Sequence, residues 1–233
     1  MEKRICLALD NLSRKRAIEL CSQLGPQLRA AKLHDLLDAY GPYIIDILKE
    51  VGVERPWIDY KLHDTKDTVE FRARALVRNG AKIITVHASG GVPMMKAAIK
   101  GTLSSKGEPQ AAIYAITILT SLDDAEIARI YGKDRTREEI VHELALMAKE
   151  AGVRTVVCSA QEVKMLKESP DLAGMRFTIP GTRSAGVELG QQKRSGTPAQ
   201  AIADGADELV AGSQVTKAAD PIKAFEAMTA EIS

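Results

Sequence analysis

The stretch WIDYKLHD, residues 57–64, determines how the rest of the chain is interpreted. Side chains alternate along a strand, which gives this stretch one charged face and one apolar face. The charged face carries Asp59, Lys61 and His63. We expect the apolar face to pack against helices, so that the charged face points into the interior of a closed barrel.

Seven further strand-like runs flank this one, and helical patterns fall between them. The eight runs are ICLALD (5–10), LRAAKLH (28–34), WIDYKLH (57–63), AKIITVH (81–87), AAIYAITIL (111–119), RTVVCSA (154–160), RFTIPG (176–181) and DELVAGS (207–213). In residues 137–151 the apolar positions follow the i, i+3, i+4 spacing of a buried helix face. Eight βα units without a break in composition predict a single (β/α)8 barrel over residues 1–233. The alternative is an open doubly wound sheet, but no G-x-G-x-x-G follows the first strand.

Composition excludes several classes of partner. The chain has 233 residues with 32 Lys and Arg against 31 Asp and Glu, a net charge of +1. This balance does not suggest a nucleic-acid or anionic-membrane surface. The three cysteines have no C-x-x-C spacing, and the chain begins without a signal-peptide pattern or a long apolar segment. We therefore expect a cytoplasmic protein.

Polar residues gather where the predicted strands end, which is where barrels of this type place their active sites. These residues include Asp10, Lys32, His34, Asp59, Lys61, His63, His87, Thr120, Ser121, Arg183 and Ser213. A lone buried Asp or Lys costs several kcal/mol, and alternating charges offset that cost. A purely structural salt bridge is the alternative. Interior ion pairs are seldom a net gain in stability, so we favour a functional role.

Two kinds of ligand site can be weighed from the sequence. The loops after strands 7 and 8 usually bind phosphate in barrels, and here they contain Gly181, Arg183, Gln192 and Gly212. The irregular segment 182–196 is long enough for a lid. The histidines at the ends of strands 2, 3 and 4 could bind zinc, but a lysine among them would repel a cation, so we expect no metal.

The chain resembles the orotidine 5′-phosphate decarboxylase family along nearly its whole length. The resemblance rests on ALD (8–10), Lys32 followed by YGP (40–42), IDYKLHDTKDTV (58–69), TVHASGG (85–91), ILTSLDD (118–124), VVCSAQE (156–162), PGTR (180–183) and QKRSGTP (192–198). D-x-K-x-x-D in strand 3 is the most specific of these motifs.

The resemblance implies a homodimeric barrel that converts orotidine monophosphate to uridine monophosphate and CO₂ without a metal or cofactor. It also implies a role for each matching residue. Lys32, Asp59, Lys61 and Asp64 would form the catalytic charge array, with Lys61 as the proton donor. Asp64 and Thr68 would reach into the partner's site. The substrate would be held by Asp10 and Lys32 at the ribose, Ser121 at the pyrimidine, and Arg183, Gln192 and Gly212 at the phosphate. We also expect Ser213, at the end of strand 8, to lie at the phosphate.

Two positions depart from the family's pattern. Ser213 stands where an arginine usually contacts the phosphate, which leaves Arg183, Gln192 and a neighbouring lysine such as Lys217 as candidates to hold it. His34 stands where a glycine usually follows the strand 2 lysine by two residues. Two other functions stay open on these grounds: a related lyase acting on a different sugar phosphate with a metal, and a nucleotide-binding paralogue without catalysis.

Overall fold

The computed structural model describes residues 3–184 and 196–233. Within these ranges eight parallel strands pair in sequence order, and β8 pairs with β1 to close a barrel. The strands are β1 (Ile5–Ala8), β2 (Ala30–Leu33), β3 (Pro56–Leu62), β4 (Ile83–His87), β5 (Ala112–Ile116), β6 (Thr155–Val157), β7 (Arg176–Pro180) and β8 (Glu208–Ala211). Each strand lies within or beside its predicted run, which confirms the (β/α)8 architecture.

Helices connect the strands on the outside of the barrel. In the described part they are α1 (Arg14–Leu24), α2 (Asp35–Tyr40), α3 (Tyr43–Glu50), α4 (Lys66–Arg78), α5 (Gly91–Gly101), α6 (Asp124–Tyr131), α7 (Arg137–Ala151), α8 (Val163–Glu168), α9 (Pro198–Ala203), α10 (Ser213–Thr216) and α11 (Pro221–Glu231). The helix predicted over 137–151 is confirmed as α7. It begins in a capping box between Thr136 and Glu139 and ends at the left-handed Gly152. None of the described helices combines the length and the apolar character that a membrane crossing requires.

The apolar core has two layers. The larger layer fills the space between strands and helices and includes Ile58 and Leu62, with Tyr60 packed against it. The smaller layer lies inside the barrel and consists of Cys6, Ala8, Ala30, Trp57, Ile83, Tyr114, Ile116, Val157 and Val210. Below it, the buried Glu208 accepts hydrogen bonds from Arg29 (2.6 Å) and Tyr114 (2.9 Å). These contacts fill the N-terminal end of the barrel, so the cavity that remains opens at the C-terminal end.

The third strand is irregular where its charges lie. Its pairing with β4 passes from Ile58 opposite Ile84 to Leu62 opposite Val86, so β3 advances by four positions while β4 advances by two. Lys61 has a φ of +47°, the left-handed region that residues other than glycine seldom adopt. Simple alternation therefore fails beyond Lys61. The expectation that His63 shares the interior face with Asp59 and Lys61 is wrong, because His63 is exposed.

Candidate active site

A cavity of about 520 Å³ lies at the C-terminal ends of the strands. Each of the eight strands, or the loop that follows it, contributes residues to the lining of this cavity. The upper side chains of the interior core form its floor, among them Trp57, Ile116 and Val157. An apolar floor beneath polar walls suits a flat ring that carries polar substituents.

A chain of alternating charges crosses one wall of the cavity. Lys32 Nζ donates to both carboxylate oxygens of Asp10, at 3.0 and 2.8 Å, and to Asp59 Oδ2 at 2.9 Å. Lys61 Nζ donates to the same Asp59 oxygen at 2.8 Å. The side chains of Lys32 and Asp59 are buried, with 9% and 7% of their surface exposed, whereas 34% of Lys61 is exposed. Of the two lysines in this row of charges, Lys61 is thus the one that is open to a ligand in the cavity.

The array keeps its buried members charged. Burial alone would favour neutral Lys32, but the attraction of Asp59 and Asp10 outweighs it and raises the pKa of Lys32. Burial likewise opposes ionisation of Asp59, but the attraction of the nearby Lys32 and Lys61 ammonium groups is larger and lowers the pKa of that carboxyl. Burial, His63 and Lys61 all lower the pKa of His87. Near neutral pH the cavity therefore contains fixed charges of both signs.

Thr85 completes the surroundings of Asp59, and the sequence did not single it out. Its hydroxyl donates to Asp59 Oδ1 at 2.7 Å, so both carboxylate oxygens have donors. The same hydroxyl oxygen lies 3.3 Å from the N–H of Lys61, which donates to it. The alternation of side chains along β4 could have identified Thr85, because it places Thr85 on the same strand face as His87.

A second cationic region lies after β7 and β8. Arg183 and Lys217 line this end of the cavity with Gly181, Gly212 and Ser213. Arg183 Nη2 donates to Ser213 Oγ at 3.4 Å. Burial lowers the pKa of Arg183, which still leaves a guanidinium charged near neutral pH. Among described residues the cavity lining contains four cations and two carboxylates, a net charge of +2. The two carboxylates balance Lys32 and Lys61, so the excess positive charge lies at the end with Arg183 and Lys217.

Four predicted site residues are not part of the cavity lining that the described residues form. Asp64 is exposed and accepts the N–H of Thr65 at 2.6 Å, and Thr68 contacts the Thr65 hydroxyl at 3.0 Å. Ser121 is exposed, and Thr120 lines the cavity in its place. Gln192, like most of the segment 182–196, lies outside the described residues.

The predicted histidines do not come together as a zinc site. His63 and His87 form an edge contact with ring centroids 5.7 Å apart, whereas His34 lies beside Asp10. Within residues 3–184 and 196–233, the group close enough to share a cation is Asp10, His34 and Asp35. Lys32 already contacts both oxygens of Asp10, and its charge would repel a metal ion there.

The sequence and the fold are both similar to those of known proteins. Residues 3–228 match the model of a family described as "Orotidine 5'-phosphate decarboxylase / HUMPS family". A protein of Pseudoalteromonas translucida named orotidine 5′-phosphate decarboxylase is 38% identical over 221 residues, which cover 94% of this chain and 93% of that protein. One of the same name from Moorella thermoacetica is 38% identical and covers 98% of this chain and 92% of its own. The crystal structure titled orotidine 5′-phosphate decarboxylase from Lactobacillus acidophilus superposes with a TM-score of 0.83 at 31% identity, over the full length of both chains.

The hydrogen bond from Thr85 to Asp59 gives a stability prediction. Thr85→Val keeps the shape and removes the donor to a buried charge, so we expect the free energy of unfolding to fall by about 1.5–3 kcal/mol at pH 7. Thr117→Val is the matched control, because the buried Thr117 donates at 3.2 Å to the neutral carbonyl of Val157, and its expected cost is about 0.5–1.5 kcal/mol.

The same pair of variants has a predicted pH dependence. The pKa of Asp59 is lowered in the folded protein. The stability that its charge contributes is therefore present above the pKa of Asp59 in the unfolded chain, and it is lost as pH falls through the pKa of the folded protein. We expect the Thr85→Val deficit, measured by urea unfolding, to be constant from about pH 7 to pH 5 and to shrink below about pH 4. Equal costs for both threonines at every pH would contradict a charged Asp59.

Proposed function

The chain belongs to the orotidine 5′-phosphate decarboxylase / HUMPS family, and we propose that it is a carboxy-lyase that converts orotidine 5′-monophosphate to uridine 5′-monophosphate and CO₂. This reaction is a step in the synthesis of pyrimidine nucleotides. The observation that carries the proposal is the partly exposed ammonium of Lys61, held 2.8 Å from a buried Asp59 on the wall of the cavity.

The proposed chemistry needs only the side chains of the array. The bond from the ring carbon to the carboxylate breaks, CO₂ leaves, and the electron pair stays on the ring carbon. An ammonium beside that carbon stabilises the developing negative charge and then transfers its proton to it, which is the role we propose for Lys61. Asp59 accepts a hydrogen bond from Lys61 and so directs its ammonium, and Lys32 holds Asp59 from the other side. We propose that neither a metal nor a cofactor takes part.

The rest of the nucleotide would follow the charge of the cavity. We propose that Asp10 and Lys32 bind the ribose hydroxyls, with Ser121 or the neighbouring Thr120 at the pyrimidine. The phosphate would bind at the β7–β8 end, where Arg183 and Lys217 supply cations and Gly212 and Ser213 line the wall. Lys217 is exposed and has no ion pair within the described part of the chain, so its charge is available in place of the missing arginine. Gln192 remains a proposed phosphate ligand outside the described residues.

We also propose that the working unit is a homodimer in which Asp64 and Thr68 complete the partner's site. The exposed aromatic side chains Tyr40, Tyr43 and Phe71 support this proposal, because a partner would cover them, and Phe71 lies three residues after Thr68 on α4. Their exposed fractions are 43%, 66% and 61%, and aromatic side chains are enriched where one protein surface meets another. A cytoplasmic location is part of the proposal, supported by three cysteines that are all buried and form no disulfide.

The two alternative functions have weaker support. A metal-dependent lyase would need a set of carboxylates for its cation, and Asp10 is already engaged by Lys32. A binding protein without catalysis would have no use for a buried charge array around Lys61, whose removal from water is costly. The relatives named above are called decarboxylases.

Loss of Lys61 is the decisive test of the reaction. We expect Lys61→Ala to lower the rate of decarboxylation by at least about a hundredfold, since it removes both the proton donor and the charge beside the carbanion. The measurement is the loss of substrate absorbance with orotidine 5′-monophosphate. Lys164→Ala, which removes an exposed lysine on α8, is the control and should retain full activity.

Three outcomes would redirect the proposal. Wild-type protein as inactive as Lys61→Ala would overturn it. Activity that disappears with a chelator would favour the metal-dependent lyase. Tight calorimetric binding of uridine 5′-monophosphate without any turnover would favour the binding paralogue.

The phosphate end can be tested with a substrate that lacks the phosphate. We expect Lys217→Ala to lower kcat/KM for orotidine 5′-monophosphate about two- to fivefold, because the lysine is exposed and screened by solvent. Arg183→Ala should lower it about ten- to a hundredfold, since a guanidinium can grip phosphate with two hydrogen bonds. Neither change should affect kcat/KM for orotidine itself. Equal losses on both substrates would place these cations elsewhere in the mechanism.

Mixed dimers test the shared site. In a random 1:1 mixture of Lys61→Ala and Asp64→Asn chains, half of the dimers are mixed and each mixed dimer has one intact site, so about a quarter of wild-type activity should return. The matched control mixes Lys61→Ala with Asp59→Asn. Those two residues contact each other within one chain, so every site remains damaged and no activity should return. A first mixture as inactive as the second would exclude a contribution of Asp64 across the interface.

A further inference from the structure

The corner after β2 contacts the end of β1 at two consecutive residues. His34 Nε2 lies 3.3 Å from Asp10 Oδ1, and Asp35 Oδ2 accepts the N–H of Asn11 at 2.9 Å. Asn11 has a φ of +58°, a conformation that this backbone contact helps to hold. Asp10 and Asn11 both line the cavity, so the His34–Asp35 corner supports one edge of the site.

The hydrogen bond that the His34 ring accepts from Asp35 determines which ring nitrogen carries a proton. Nδ1 accepts the backbone N–H of Asp35 at 2.7 Å, so its lone pair is occupied and it carries no proton. The carboxylate of Asp35 is farther from the same nitrogen, at 3.4 Å. In the neutral imidazole the proton is therefore on Nε2, the nitrogen beside Asp10.

The other contact of Asp10, with Lys32, does not fix the orientation of its carboxylate. Lys32 Nζ reaches both of its oxygens, at 3.0 and 2.8 Å, but a single nitrogen approaches from only one direction. Such a contact fixes the distance between the groups and leaves the plane of the carboxylate free to turn. The Asp10 side chain is 31% exposed, so the buried core does not fix that plane either. The edge of the His34 ring supplies a second direction.

We infer that His34 is a positioning residue for Asp10. It sets the orientation of the Asp10 carboxylate at the edge of the cavity and, through it, the affinity for the hydroxyl groups of the bound sugar. The identity of that ligand rests on the proposed function, whereas the contact between the two side chains does not.

A purely structural role is the competing explanation, because His34 also caps the N-terminus of α2 through Nδ1. Two substitutions separate the roles. His34→Asn keeps an acceptor near the position of Nδ1 and is a good N-cap, but it is too short to reach Asp10. His34→Gln keeps an N–H donor near the position of Nε2 and loses the cap acceptor.

Positioning predicts opposite responses in the two variants. His34→Asn should raise KM for orotidine 5′-monophosphate about five- to tenfold with a much smaller change in kcat, since binding and not chemistry is weakened. Its Tm should stay close to that of the wild type. His34→Gln should recover most of the lost affinity while its Tm falls by about 2–4 °C, the usual effect of a lost cap in a domain of this size.

Crystal structures of the wild type and His34→Asn give a readout that does not depend on the substrate. We expect the Asp10 carboxylate to rotate in the variant while Lys32 keeps its contact with Asp59. An Asp10 side chain that does not move, or a KM that rises only in His34→Gln, would overturn the inference. A wild type that does not decarboxylate the nucleotide, together with an Asp10 that does rotate, would overturn the proposed function and leave the positioning role of His34 intact.

Discussion

The carboxylate of Asp59, buried between two ammonium groups inside the barrel, is the interaction on which the site depends. Taking a carboxylate out of water costs several kcal/mol, and attraction offsets that cost only when donors surround it closely. Here Lys32, Lys61 and Thr85 all lie within 2.9 Å of its oxygens. The donors come from three neighbouring strands, β2, β3 and β4, so the parallel pairing of these strands is what brings them together.

The backbone is distorted where this arrangement requires it. Asn11 and Lys61 are the non-glycine residues with left-handed φ among those described, and both lie at the charge array. Such conformations cost about 1–3 kcal/mol each and persist only where surrounding contacts hold them. Asn11 is held by Asp35 and the Lys61 N–H by Thr85. The irregular β3 allows Lys61 to leave the regular strand direction and still contact Asp59.

Local pattern accounts for most of what the sequence predicted. Eight alternating apolar runs gave the strands, the periodicity of residues 137–151 gave α7, and parity separated Asp59 from its apolar neighbours. The failures concern properties that depend on distant parts of the chain. The exposure of His63 follows from a register shift against β4, and the role of Thr85 depends on which residue lies across from it. Asp64 lies outside the cavity of its own chain, and no pattern within a single chain determines what a second chain would bring to it.

Charge also dictates how a substrate with two anionic ends must lie. Along the wall from Asp10 to Lys61 cations and carboxylates alternate and cancel, whereas Arg183 and Lys217 leave the opposite end with a net charge of +2. A phosphate dianion placed at the wall would face two carboxylates, so it is driven to the opposite end, and the smaller charge of the ring carboxylate is left near Asp59. In the proposed reaction, attraction at the phosphate end can thus hold the reacting carboxylate against an unfavourable neighbour, a cost that disappears when CO₂ leaves. The uncharged side chain at Ser213 shifts this attraction onto Arg183, which is half-buried and can contact phosphate in two places, more than onto the exposed Lys217.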